Sequence, residues 1–139
     1  MKARINWLRD LTFVAESGSG HAVVMSASKQ AGGATVGPSP MEYVLLGTGG
    51  CTATDVVAIL EKGRHKVRSC EVAIDSDRAE TDPKVFTKIR FHFKVSGVGL
   101  TRDVVERAIK LSAEKYCSAS AMLAKTATLS HEFEIINEA

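Results

Sequence analysis

Ser39-Pro40-Met41-Glu42-Tyr43-Val44-Leu45-Leu46-Gly47-Thr48-Gly49-Gly50-Cys51-Thr52-Ala53-Thr54-Asp55-Val56 is the stretch on which the fold turns. Serine is a good N-cap and proline suits the first helical position. Glu42 falls in the first turn, where a carboxylate favours the positive end of the helix dipole. The pattern runs on to about Lys62-Gly63, where glycine is a stop and Lys62, Arg64, His65 and Lys66 complement the carbonyl end. Gly47, Gly49 and Gly50 lie inside this helix, and each costs about 1 kcal/mol relative to alanine. That cost predicts a central, buried helix packed closely against another backbone.

On the N-terminal side the chain reads as a meander. Ala3–Leu8 and Leu11–Ala15 are short strands, and Ser17-Gly18-Ser19-Gly20 is a turn before Ala22–Met25. Residues 26–40, rich in Gly, Ser and Ala, form a long loop. On the C-terminal side, Ser69–Asp75 and Phe86–Val95 are strands joined through the turn chemistry of Thr81-Asp82-Pro83-Lys84. The second alternates: Phe86, Lys88, Arg90, His92 and Lys94 lie on one face, and Thr87, Ile89, Phe91, Phe93 and Val95 on the other. Thr101 caps a second helix that continues to about Tyr116-Cys117. Met122-Leu123 lies on a short helix or turn, and His131–Ile136 closes the chain as a strand. The order β-β-β-α-β-β-α-α-β, with strands grouped in hairpins, is that of an α+β fold over residues 1–139 as a single domain.

Composition narrows the class. The 139 residues are 45% hydrophobic and 24% charged, with a formal net charge of +2, which excludes disorder as the main state. So small an excess, without interleaved aromatic and basic residues, gives no support to nucleic-acid binding. Runs such as Val44-Leu45-Leu46 fall far short of the roughly 20 residues that span a bilayer, so no membrane partner is expected. The start shows no apolar leader, and the expected location is cytoplasmic.

Three cysteines, Cys51, Cys70 and Cys117, argue for reduced thiols rather than a stapled secreted module. None lies in a C-x-x-C pair, and the four histidines have no metal-ligand spacing. Cys70 on its strand reads as a small core hydrophobe. Cys51 sits mid-helix among small residues, and Cys117 ends the second helix. Spacing alone leaves coincidence and a redox pair both open.

The segment Gly37–Val56 resembles the first signature of the OsmC/Ohr family, and Ala113-Glu114-Lys115-Tyr116-Cys117-Ser118 resembles its second. The resemblance implies an OsmC-like fold, with antiparallel sheets around two central helices in an intertwined homodimer. It further implies a peroxidase that reduces organic hydroperoxides, and hydrogen peroxide as a further substrate. Cys51 would be the peroxidatic thiolate, Cys117 the resolving thiol and Arg9 the cation that favours the thiolate, with Arg4 a weaker match. An external dithiol would reset the pair, and no metal, flavin or haem is needed. The alternative is a non-catalytic dimer that binds a small apolar or thiol-containing ligand.

The sequence departs from that pattern at three places. Met41 stands at the family's glutamate position, and Glu42, nine residues before Cys51, falls on the opposite helix face. Ser118 replaces the usual proline after the second cysteine. Asp55, one turn beyond Cys51 on the same face, opposes a thiolate rather than helping it.

Overall fold

The capping signals at Ser39 and Thr101 each open a helix in the structure, a computed structural model that describes residues 1–139. The elements are β1 (Ala3–Arg9), β2 (Thr12–Ser17), β3 (Ala22–Ser26), α1 (Pro40–Lys62), β4 (Lys66–Arg78), β5 (Phe86–Val98), α2 (Arg102–Leu111), α3 (Ser118–Leu123) and β6 (Thr128–Asn137). A 3-10 turn at Lys29–Ala31 interrupts the long loop, and a π turn at Ser112–Tyr116 links α2 to α3. This is the expected α+β order. The contacts divide the chain into two units, Met1–Leu46 and Gly47–Ala139, so the boundary falls within α1.

The first unit is the antiparallel meander β1-β2-β3, with Ala3 opposite Ser17 and Thr12 opposite Ser26. Gly20, at φ +86°, supplies the positive dihedral that the β2–β3 turn requires. Ser39 and Glu42 form a reciprocal capping box: the Glu42 N–H donates to Ser39 Oγ at 3.2 Å, and the Ser39 N–H donates to Glu42 Oε1 at 3.0 Å. The Tyr43 hydroxyl donates to the Val24 carbonyl at 2.7 Å and ties the first turn of α1 to β3. Little of this unit's apolar surface is covered. Ile5 is 55% exposed and Trp7 67%, and Leu8, Leu11, Val23 and Val24 are exposed as well.

In the second unit, α1 buries one stripe, Thr48, Thr52, Val56 and Leu60, spaced four residues apart. The expectation of a central, buried helix is therefore corrected: most of α1 is not buried in this chain. The expected backbone approach at its glycines is corrected too. A Cβ on Gly49 would meet the Ile74 side chain at 2.9 Å, whereas Gly47 and Gly50 face open space. By length and composition α1 could also cross a membrane. Gly47, Thr48, Gly49 and Gly50 break its apolar runs, so run length alone gives no sign of this. Core helices of soluble proteins share that length and composition, and the buried stripe with its threonines fits such a use.

The second sheet has the order β4-β5-β6. β4 and β5 are antiparallel, as expected, but β5 and β6 are parallel, from Lys88 opposite Thr128 to Gly97 opposite Asn137. The expectation of antiparallel sheets fails here. α2 and α3 lie between the two strands in sequence and form the crossover that a parallel pair needs. Ile89, Phe91, Phe93 and Val95 are buried as expected, and Lys88, His92 and Lys94 face water. Phe86 is buried rather than exposed. The pairing jumps from Asp77–Lys88 to Arg78–Phe86, so Thr87 is skipped and the alternation inverts at that end.

His131 on β6 stacks on Phe91, with ring centroids 4.9 Å apart and planes 4° from parallel. Its Nε2 is buried without a hydrogen-bond partner, and burial holds the imidazole below its ordinary pKa. The unfolded chain therefore takes the proton first as pH falls through about 6.5, and the folded state loses stability below that pH. Urea midpoints should drop between pH 7 and pH 5 more steeply for the native protein than for His131→Phe. Equal slopes would show that His131 carries none of this dependence.

Candidate functional site

Cys51 and Asp55 lie one turn apart on α1, and Cys117 follows the π turn at the far end of α2. The two sulfurs and an Asp55 carboxylate oxygen all lie within 4.8 Å of one another. β4, β5 and α2 separate the two cysteines along the chain, so the fold alone brings them together.

A chain of polar groups fixes the carboxylate. Thr52 Oγ1 and Ser112 Oγ are 2.9 Å apart, and Ser112 Oγ donates to Asp55 Oδ2 at 2.9 Å. A hydroxyl has one proton to give, so the Thr52 hydroxyl donates to Ser112, which donates to Asp55. Thr52 and Ser112 are fully buried, and this relay joins α1 to the turn that carries Cys117. The Ser112 carbonyl also accepts from the Cys117 N–H at 2.8 Å, five residues on.

Cys117 is 2% exposed. Burial pushes its thiol up from the ordinary range, hydrogen bonding from Ser120 pulls it part of the way back, and the neighbouring Cys51 adds a smaller push upward. The Ser120 N–H donates to Cys117 Sγ at 3.3 Å, while the buried Ser120 hydroxyl has no hydrogen-bond partner. The ion pairs of the chain lie elsewhere, joining Arg4 to Glu16, Arg68 to Glu138, Arg90 to Asp75 and Asp77, and Lys94 to Glu134, with His92 near Glu132 and Glu134.

The family-model comparison decides what kind of protein carries this site: the OsmC-like protein family matches residues 31–132. The chain belongs to the OsmC family. Protein YhfA of Escherichia coli K12 is 47% identical over 136 residues, covering 98% of each chain. A hypothetical protein from Aquifex aeolicus superposes with a TM-score of 0.87 at 28% identity, over 99% of this chain and 97% of its own. An organic hydroperoxide resistance protein OsmC from Legionella pneumophila, described as a predicted redox protein, shares the fold. Its TM-score is 0.72 at 13% identity, over 96% of this chain and 95% of its own.

Of the three residues singled out from sequence, the structure brings Cys51 and Cys117 together. Arg9 is exposed at the end of β1, in the first unit, beside the irregularity where pairing jumps from Trp7 to Arg9. Arg4 is committed to Glu16 at 2.8 Å. Glu42 caps α1, the role its position predicts. Cys70 is half-buried on β4, and burial pushes its thiol up. Sequence reasoning missed Thr52, Ser112 and Ser120 as site residues. Their signal was a small hydroxyl within each buried helical stripe, Thr52 beside Thr48 and Val56, and Ser112 after Ala108 and Ile109.

Proposed function

We propose that this OsmC-family protein is a thiol-dependent hydroperoxide reductase, with Cys51 as the attacking thiolate and Cys117 as the resolving thiol. The observation that carries the reading is the approach of the two sulfurs to within 4.8 Å across a long stretch of chain. The Cys51 thiolate attacks the outer oxygen of the peroxide, the O–O bond breaks, and the alkoxide leaves to take up a proton as alcohol. Cys51 becomes a sulfenic acid. The Cys117 thiolate then attacks that sulfur and water leaves, giving a disulfide. An external dithiol restores both thiols by exchange. The nucleophile should be Cys51, because Cys117 is the more deeply buried and its thiol is pushed up.

Arg9 is assigned as the cation that favours the Cys51 thiolate, as the best match to the arginine of the family pattern. We also assign a homodimer working in the cytoplasm, where thiols stay reduced. The exposed Ile5, Trp7, Leu8 and Leu11, with Leu46 on α1 and Met122 at 69% exposure, support a partner chain. Light scattering should give twice the 14.9 kDa of one chain, and a mass of one chain would remove the dimer.

The reductase reading is tested by one equivalent of cumene hydroperoxide added to reduced protein. Two thiols should disappear, with a disulfide mapped between Cys51 and Cys117, and Arg9→Ala should slow that loss. Persistent thiols would instead favour the second reading, a dimer that binds a small apolar or thiol-containing ligand without turnover. The observation on that side is Asp55, a carboxylate where a thiolate would form.

A further inference from the structure

We infer that Cys51, Asp55 and Cys117 form a binding site for one zinc ion, with a fourth coordination position left open. Two sulfurs and one carboxylate oxygen, all within 4.8 Å of one another, are a donor set that zinc takes. Zinc–ligand bonds of about 2.0 to 2.3 Å place tetrahedral donors roughly 3.5 to 3.8 Å apart, so the three need to close by no more than about 1.3 Å. The three donors come from two elements held by the Thr52–Ser112–Asp55 relay, which leaves them little freedom to lose on binding.

The surroundings aim hydrogen-bond donors at two of the three ligands. Ser112 donates to Asp55 Oδ2 and so leaves the second carboxylate oxygen open, the outer-shell arrangement that orients metal ligands. Ser120 offers the Cys117 sulfur a backbone N–H at 3.3 Å, and its own hydroxyl is buried without a hydrogen-bond partner. A metal-bound thiolate is a stronger acceptor for that N–H than a neutral thiol. Two thiolates beside a carboxylate would repel one another strongly, and no ion pair reaches Asp55. A divalent cation among the three removes that repulsion, and binding it releases the thiol protons. With three protein ligands the site is of the open kind, and the fourth position is free for water or a small thiol.

The inference uses the same sulfurs as the reductase reading but not its redox step, so titration without peroxide separates the two. Reduced protein, freed of metal with a chelator, is titrated with zinc chloride against a chromogenic zinc indicator. One zinc per chain is expected, with Cys70→Ser binding as the native protein does. Ser112→Ala should weaken binding about 10- to 100-fold, the usual cost of losing an outer-shell partner. Asp55→Asn, close to the native residue in size and still able to accept from Ser112, should weaken it at least as much. Cobalt should give a thiolate-to-metal charge-transfer band that is lost or halved in Cys117→Ser. The inference is overturned if no zinc binds, if Asp55→Asn binds as tightly as the native protein, or if Cys70→Ser loses the metal.

Discussion

Cys51→Ser is expected to abolish hydroperoxide consumption, while Cys117→Ser consumes one equivalent and stops. The asymmetry follows from the chemistry assigned to each sulfur. Without Cys51 no thiolate attacks the O–O bond, and a serine hydroxyl, ionised to a negligible extent at neutral pH, does not replace it. Without Cys117 the first step still proceeds, but the sulfenic acid at Cys51 has no neighbouring thiol to condense with. Intact mass should then show a gain of one oxygen in Cys117→Ser, and in the native protein a loss of two hydrogens. Cys70→Ser should behave as the native protein, because Cys70 is not one of the three converging groups. Undiminished turnover in Cys51→Ser would defeat the mechanism outright.

The second large effect concerns the core that holds the site. Phe91→Ala should cost about 3–5 kcal/mol of stability, read as a fall in the urea midpoint with the slope unchanged. Phe91 is 1% exposed at the middle of β5, the central strand of its sheet, and its ring stacks on His131 and against Phe93. Removing it takes away buried apolar area and leaves a cavity against the inner face of the sheet, beside His131 and Phe93. Lys88→Ala, on the exposed face of the same strand, should stay within about 0.5 kcal/mol. Similar losses for both would mean that β5 is not packed as the structure has it.

Much of this was legible in the sequence, and the failures share causes. Ser39, Pro40 and Glu42 announced the start of α1, and Thr101 that of α2, because capping is a local matter of side chain and backbone within one turn. The two signature segments gave the cysteine pair, which no spacing rule reaches across so long a gap. Long-range facts were less accessible. The parallel pairing of β5 with β6 depends on how a crossover returns the chain, and hydrophobic alternation is the same for either direction. The inverted exposure of Phe86 comes from a pairing shift beside Thr87, which leaves no composition signal. Gly47 and Gly50 suggested close packing, yet the space beside them in this chain is empty. The relay of Thr52, Ser112 and Asp55 looked like ordinary helix sequence because each member is unremarkable alone.

The π turn at Ser112–Tyr116 has its own consequence for where the resolving thiol points. Continued α-helical counting from buried Ser112 would bring Tyr116, four residues on, to the inward position. Tyr116 is exposed instead, and Cys117, five residues on, is the one turned in. The wide turn thus holds one residue of slack. A deletion of Glu114 would place the cysteine four residues after Ser112, where an ordinary helical turn also directs it inward. Elsewhere in α2 the same deletion would rotate every later side chain by about 100° and carry the thiol out of the site. The backbone here can absorb a change in length without changing what it presents.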